Sequence, residues 1–366
     1  MRIPKDAHVW LPGCIERRRA PLARPANVLF AFVDHFEPEQ RPGDPLELQV
    51  SRIREWIARY EAAAAGHADF RGRPPRHTYF FPEEQYRPES LTLLAGHCAR
   101  GFGEVEVHIH HDGDTGEIFR AKMTRFIERL AGHGLLARDR VDGRTRYGFI
   151  HGNWSLDNSR ADGRWCGVDD EITILKETGC YADFTMPSVP DDGGTQTSTV
   201  NAIYFADDDP LRPKSHDRGR PVVFGGKGNG DLLLIQGPLA LNWRNRTRGV
   251  FPRIENGDVT STSPVTRDRA RLWIDRRIGV RGKADTVFVK VHTHGLKPRS
   301  FDFLLGGGIE AAFGLVEKEC GDAERFRLHY VSAREMANVV YAFNDGVDRP
   351  IEELFDYRLA PPGGNR

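Results

Sequence analysis

Four apolar, β-rich segments of this chain each run into a cluster of polar side chains. The segments are NVLFAFV, GEVEVHI, RYGFI and TVFVKV. The polar residues at their ends are, in chain order, Asp34 and His35; His108, His110, His111 and Asp112; His151 and Asn153; and His292 and His294. Strand ends on one face of an α/β fold are where ligands and catalytic groups collect. The pattern therefore predicts one site assembled from distant parts of the chain.

Helical periodicity separates these strands. Val50, Ile53, Trp56, Ile57 and Tyr60 fall on one helical face after the first strand. Further along, Gly179 is a predicted helix stop, and Ser332 with Glu335 forms a predicted capping box before the last helix. Strands alternating with helices predict an α/β protein, either a (β/α) barrel or an open doubly wound sheet.

The same pattern divides the chain into regions. We expect an N-terminal extension over residues 1–26, a (β/α) domain over 27–345, and a C-terminal tail over 346–366. Residues from about 188 to 282 are rich in Gly, Asp, Pro and Asn, with strand-like pieces at NAIYF and LLLIQ. A stretch this long does not stay structureless in a compact domain. We expect it to be an insertion with its own hairpins, lying over one end of the barrel.

Composition narrows the classes of partner and compartment. The 52 acidic and 52 basic residues balance, and no recognition motif for nucleic acid is present, so no nucleic-acid partner is expected. No apolar run is long enough to span a bilayer, and no signal peptide opens the chain, which predicts a cytoplasmic protein. The five cysteines are scattered without Cys-x-x-Cys spacing, which argues against a disulfide framework or a zinc knuckle.

The segment EVEVHIHHDGD carries the strongest chemical signal. In a strand, Val105, Val107 and Ile109 share one face, and Glu104, Glu106, His108 and His110 share the other. Parallel strands are normally apolar on both faces, so a polar face predicts a polar cavity, the alternative being an exposed edge strand. Two imidazoles followed by the Asp112 carboxylate suit a divalent metal, and zinc is the expected ion.

Polar side chains also follow the strand TVFVKV, the first strand and the strand RYGFI. Lys290, His292 and His294 share a face of TVFVKVHTH, and Asp34 and His35 follow the first strand with Glu37 close behind. A carboxylate and an imidazole together can ligate a metal, or can act as a general base and its orienting partner. The cluster HGNWSLDNS, with His151, Asn153 and Trp154, is of the kind that binds sugars or orders loops. No Gly-x-Ser-x-Gly elbow is present, which disfavours a Ser-His-Asp hydrolase.

The order of these motifs resembles that of the polysaccharide deacetylase superfamily, the NodB-homology domain. Asp34-His35 stands where that family has an Asp-Asp pair, HTYFF stands where it has a strand like ATFF, and GEVEVHIHHDGD stands where it has a His-x-x-x-His motif. FIHGNW occupies the place of an Arg-Pro-Pro segment, ILKETGCYADFT that of a helix and a Gly-Tyr strand, and Val-Lys-Val-His292 that of a final Leu-x-His. The resemblance covers roughly residues 27–319, with the insertion between.

This resemblance implies a deformed seven-stranded (β/α) barrel and a metal-dependent attack of water on an N-acetyl carbonyl. Carried over position by position, it implies that Asp34 is the base and His292 the acid. It implies His35, His108 and Asp112 as metal ligands, with His110 as a substitute ligand. His151, Asn153, Trp154 and His294 are the residues expected to contact the substrate.

The leading hypothesis is a metal-dependent amide hydrolase acting on an N-acetylated sugar or glycan precursor. Two alternatives follow from the altered motifs. One is a carbohydrate-binding barrel that has lost catalysis, and the other is a metal-free amidase of the ureide type on the same fold.

Overall fold

The computed structural model describes residues 6–15, 21–189 and 196–363 as alternating helices and strands. The helices are α1 Ala7–Ile15, α2 Leu46–Ala64, α3 Pro88–Ala99, α4 Gly116–Gly132, α5 Glu171–Thr178, α6 Arg267–Asp275, α7 Pro298–Phe303, α8 Ile309–Cys320 and α9 Ala333–Asn344. The strands are β1 Ala26–His35, β2 His77–Pro82, β3 Gly103–Ile109, β4 Ala137–Asp139, β5 Thr145–His151, β6 Cys180–Asp183, β7 Ile203–Ala206, β8 Arg220–Pro221, β9 Leu232–Ile235, β10 Ala240–Thr247, β11 Phe251–Glu255, β12 Thr286–Thr293, β13 Phe326–Tyr330 and β14 Leu359–Ala360. Within the described ranges, no helix is both long and apolar enough to cross a bilayer.

A mostly parallel sheet forms the centre of this α/β protein. Its strand order is β12-β1-β2-β3-β5-β6-β9-β7-β8, and β13 pairs with the first half of β1. The neighbours from β12 to β9 run parallel, whereas β7 and β8 are antiparallel additions at one edge.

The expected closed barrel is not what this sheet forms. Among the described residues, no ladder of paired strands joins β12 to β9, β7 or β8. The free edge of β12 instead bonds to loop residues: His292 donates its N–H to Gly257, Val259 donates to His292, and Phe288 donates to Ile278. Because these loops already satisfy the edge, a further strand has no place to pair with it.

The two faces of β1 pack against different layers. Val28, Phe30 and Phe32 belong to the core under the surrounding helices, whereas Leu29, Ala31 and Val33 belong to a second core that includes α9. Nearly every residue of α9 is buried, which is typical of a helix enclosed on all sides. Its predicted capping box is confirmed, since Ser332 and Glu335 bond each other's backbone.

The alternation predicted for β3 is confirmed. Val105, Val107 and Ile109 lie in the helix-side core. On the other side, Glu104 accepts from Arg334 Nη2 at 2.8 Å and from Ser332 Oγ at 2.9 Å. Glu106 accepts from Tyr181 Oη and from the Gly148 N–H, both at 2.5 Å. The strand is fully buried, so the alternative of an exposed edge strand is wrong.

Part of the stretch from 188 to 282, which we expected to be an insertion over one end of a barrel, belongs to the central sheet. NAIYF supplies β7, and LLLIQ supplies β9, which pairs with β6 as a strand of the central sheet. The expected hairpin is present as β10 and β11. In the N-terminal extension, Trp10 of α1 packs in a small core with Leu239, and in the tail β14 pairs with β4. Residues 1–5, 16–20, 190–195 and 364–366 of these regions lie outside the described part.

Burial of Glu106 makes stability depend on pH. Burial raises its pKa to about 8, against an ordinary value of 4.5. Between pH 4.5 and about 8, the folded protein therefore holds a proton that the unfolded chain has released. The stability that Glu106 contributes is complete below pH 4.5 and is lost as the pH rises towards about 8.

We expect Glu106→Gln to gain stability relative to wild type between pH 5 and about 8, by up to roughly 1.4 kcal/mol for each pH unit. Urea denaturation at several pH values measures the difference. Glu128→Gln, at an exposed position of α4, is the control and should show no such trend. A difference that does not change with pH would show that Glu106 is ionised in the folded protein.

Candidate metal centre

The carboxyl ends of β1, β3, β5 and β12 meet at one edge of the sheet. The register aligns Val33 with His292 across β1 and β12, and His108 with Ile150 across β3 and β5. Parallel strands in this register place their last residues side by side. Polar side chains from distant strand ends therefore lie along one edge of the sheet, but they divide into two groups and do not form the single site that the sequence predicts.

His35 lies at the centre of the cluster. Its ring centroid is 4.7 Å from that of His108, 4.4 Å from that of His294 and 5.3 Å from that of Trp154. His35 is buried, and burial together with the neighbouring imidazoles, His294 foremost, holds its pKa well below 6.5. Its ring is therefore neutral at pH 7, which is the form of histidine that binds a metal.

Glu37 provides the carboxylate of this cluster. Its Oε1 atom lies 3.9 Å from His108 Nε2 and 3.8 Å from His110 Nε2, and its Oε2 atom lies 2.5 Å from Lys297 Nζ. Burial alone would raise the pKa of Glu37, but the surrounding imidazoles, His108 first, hold it well below its usual range. The carboxylate is therefore ionised at neutral pH.

Hydrogen bonds set which nitrogen of each imidazole faces Glu37. His108 Nδ1 lies 2.9 Å from the Ile150 carbonyl oxygen, so Nδ1 carries the proton and Nε2 keeps its lone pair. His110 Nδ1 lies 2.5 Å from Glu84 Oε1. Burial alone would lower the pKa of His110, but the Glu84 carboxylate raises it, so Nε2 must lose a proton before it binds a metal. A ligand histidine whose second nitrogen donates to a carbonyl or a carboxylate is the usual arrangement in metal sites.

The residues present fit a divalent metal. His35 Nδ1 and His108 Nε2 are buried and have no hydrogen-bond partner among the described residues. One ligand atom from each of His35, Glu37 and His108 can lie within 4.8 Å of the others. Buried polar atoms without partners are costly, and an ion bound between them would satisfy both. Two imidazoles and one carboxylate are ligands of the kind that zinc binds in proteins.

Asp34 is not brought into this cluster. Its carboxylate is fully buried, accepts the Gly295 N–H at 2.6 Å and lies 3.0 Å from His77 Nε2. Successive side chains of a strand point to opposite faces, so Asp34 and His35 cannot both face the cavity. Asp34 instead ties the end of β1 to the loop after β12.

Asp112 also lies apart from the cluster, whereas His292 lies near it. Asp112 is exposed and accepts the Trp165 N–H at 2.6 Å. The His292 ring centroid is 6.4 Å from that of His35. Burial and then Lys290 hold the pKa of His292 well below 6.5, so the neutral ring prevails at pH 7 and not the imidazolium expected of an acid.

His151 and Asn153, expected to contact the substrate, belong to a neighbouring group. His151 is fully buried, and its ring centroid lies 4.8 Å from that of His111. Asn153 donates a hydrogen bond from Nδ2 to the His111 carbonyl oxygen. Cys166 and Glu171 lie against the same two histidines. Of the four residues expected at the substrate, Trp154 and His294 therefore line the His35 cluster.

The sequence patterns do not single out several residues that the structure places in these two groups. Glu37 was recognised only as part of the motif after the first strand, and Glu84, Lys297 and Glu171 carry no periodic signal. No protein-family model and no curated protein matches this chain.

Gly295 makes the junction between Asp34 and the loop after β12 possible. An added Cβ would lie 2.6 Å from Trp56 Cη2 and would collide with the Asp34 carboxylate. We expect Gly295→Ala to lower the free energy of unfolding by about 1–3 kcal/mol, as overpacking does. Gly132→Ala at the end of α4 is the control, because a Cβ there meets nothing within 4 Å. Equal denaturation midpoints for the two variants would contradict this account of the junction.

Proposed function

We propose that this protein is a metal-dependent hydrolase that cleaves an amide, with N-acetylated sugars or glycan precursors as its substrate class. The observation that carries the proposal is the convergence of His108 Nε2 and His110 Nε2 on Glu37, each with its Nδ1 bonded elsewhere. Imidazoles oriented in this way are costly to bury for packing alone, since an unpaired buried nitrogen destabilises the fold.

His35, Glu37, His108 and His110 are the residues that would hold the ion. A zinc ion bound there supplies Lewis acidity, which polarises a carbonyl and makes water more acidic. Ile150 and Glu84 hold the rings of His108 and His110 in position. Lys297 neutralises the second oxygen of Glu37, so one oxygen remains for the ion.

Proton transfer falls to His292 in this proposal. It faces the cluster from β12 without reaching Glu37, and its ring is neutral. It can therefore take a proton during attack by water and return it to the leaving amine. Asp34, the base implied by the resemblance, becomes a positioning residue, because Gly295 and His77 already occupy its carboxylate.

Trp154 and His294 form the side of the cluster that is open to a substrate. Both are partly exposed, and their ring centroids lie 5.6 Å apart at a steep angle. An indole next to polar groups suits the apolar face of a sugar ring. These two rings support a carbohydrate as the substrate. The mostly parallel sheet with polar side chains at its carboxyl edge supports the comparison with the deacetylase family, although the sheet is open.

Metal content tests the ligand assignment. We expect purified His108→Ala to lose the ion of this cluster and hydrolysis of acetylated chitooligosaccharides together. His133→Ala should keep both, because His133 caps the end of α4, outside the cluster. Elemental analysis and an acetate-release assay provide the two measurements. Metal content that is the same in both variants would refute the assignment of His108.

Turnover separates the roles of His292 and Asp34. We expect His292→Ala to retain the metal and to lower kcat by about 10²–10⁴-fold, the usual cost of losing a general acid or base. Asp34→Asn should lower kcat much less, because an amide oxygen still accepts the Gly295 N–H. Single-turnover assays on metal-loaded variants give both values. A larger loss in Asp34→Asn than in His292→Ala would restore Asp34 as the base.

A further inference from the structure

A second group of buried ligand-type side chains lies beside the first, and the proposed reaction does not use it. Its members come from the ends of β3 and β5, from the loop between β5 and α5, and from the first residue of α5: they are His111, His151, Cys166 and Glu171. None exposes more than 4% of its surface. Zinc is held in proteins by this combination of thiolate, imidazole and carboxylate.

The separations of these ligand atoms match the size of a metal ion. His111 Nε2 lies 3.2 Å from Glu171 Oε1, Cys166 Sγ lies 3.5 Å from Glu171 Oε2, and His151 Nε2 lies 3.8 Å from Glu171 Oε1. Bonds of about 2.0–2.3 Å to a tetrahedral zinc ion put the ligands about 3.3–3.8 Å apart. One ligand atom from each of the four residues lies within 4.8 Å of the others, a spacing that one ion can bridge.

The ligand atoms carry protons that an ion would displace. Burial, and then the Glu171 carboxylate 3.5 Å from Sγ, raises the pKa of the Cys166 thiol well above its ordinary value, so the thiol must lose its proton to bind an ion. His111 Nε2 lies 3.2 Å from Glu171 Oε1, the bond that an ion would replace. Its Nδ1 atom makes no hydrogen bond to the described residues and lies 3.4 Å from Asp114 Oδ2, so Asp114 can accept an Nδ1–H bond when Nε2 binds an ion. Lys122 in turn holds the Asp114 carboxylate, with bonds of 2.9 and 2.7 Å.

His151 is the weakest of the four ligands. Its Nδ1 atom accepts the backbone N–H groups of Asn153 at 3.2 Å and of Ser155 at 3.4 Å. The proton of the neutral ring therefore sits on Nε2, which is buried and has no hydrogen-bond partner in the part of the chain that the structure describes. Binding an ion would require that proton to leave Nε2, which reduces the contribution of His151 to affinity.

The loop that carries Cys166 needs an external constraint. Trp154, Asp157, Asn158 and Trp165 all have positive φ values, of 51°, 56°, 45° and 68°. Asp and Asn adopt this conformation more readily than other residues with side chains, whereas for the two tryptophans it costs about 1–3 kcal/mol each and persists only where the surroundings hold it. The same loop presents Trp154 to the His35 cluster.

We propose that His111, Cys166 and Glu171 hold a structural zinc ion, with His151 in the fourth position, and that this ion fixes the loop over residues 152–170. The ion would thereby place Trp154 beside the first cluster. The two centres share no ligand, so this site stands or fails separately from the proposed hydrolase.

Cobalt substitution distinguishes the two centres, because only the second contains sulfur. The full chain is stripped with a chelator, loaded with Co²⁺ and examined in the near ultraviolet, where thiolate-to-cobalt charge transfer absorbs. We expect wild type to show this band. Cys166→Ser should lose the band and one equivalent of cobalt, whereas the control Cys98→Ser, altered on α3, should keep both.

Two further variants sharpen the assignment. His108→Ala should lose one equivalent of cobalt and keep the band, and His151→Ala should keep the band with affinity lowered about 10–100-fold. A wild type that binds a single equivalent and shows the band supports this site and counts against the first. Cobalt-loaded wild type without the band, or a band that survives in Cys166→Ser, overturns the proposal whether or not a variant folds poorly.

Hydrogen exchange tests the effect on the loop. Amides of residues 152–170 should exchange faster once the metal is removed from wild type, and those of α2 should not change. Re-addition of Zn²⁺ should restore slow exchange. Loop exchange that is the same with and without metal would overturn the claim that the ion fixes this segment.

Discussion

Burial of the Glu37 carboxylate is the constraint on which the arrangement of the site depends. A carboxylate that is 5% exposed must be compensated by positive charge or by donors, because an uncompensated buried charge costs several kcal/mol. Lys297 supplies the positive charge, and the Nε2 atoms of His108 and His110 lie on the other side, 3.9 and 3.8 Å from the carboxylate. These partners come from the loop after β12 and from β3, so the carboxylate requires three distant segments to meet. The geometry of the site therefore depends on the strand register that brings these segments together.

The strand ends in the site were predictable because their signal is local. A period of two in β3 indicates which side chains share a face, and the structure follows it from Glu104 to His108. The same rule separates Asp34 from His35, which the resemblance had assigned to one site. Asp112 follows β3 in a turn, where periodicity no longer indicates direction. Its carboxylate bonds to Trp165 of another loop, a contact that no local pattern encodes.

The fold was predictable to the level of an α/β protein and no further. β7 and β9 are strands of four residues within a segment rich in Gly and Asp. Whether such short strands join the central sheet depends on partners distant in sequence, so strand propensity alone does not decide it. Closure of the sheet is decided in the same way, by distant loop residues that bond to the edge of β12 in place of a strand.

The end of β5 connects the two groups of ligand-type side chains. The Ile150 carbonyl holds the His108 ring of the first group, and the next residue, His151, points its own ring into the second. The chain then continues as the loop that brings Trp154 back to His35. A displacement of this strand end by even a fraction of an ångström would therefore disturb both groups at once. Such a shared support explains why so many polar side chains are buried here, since each one limits the movement of the others.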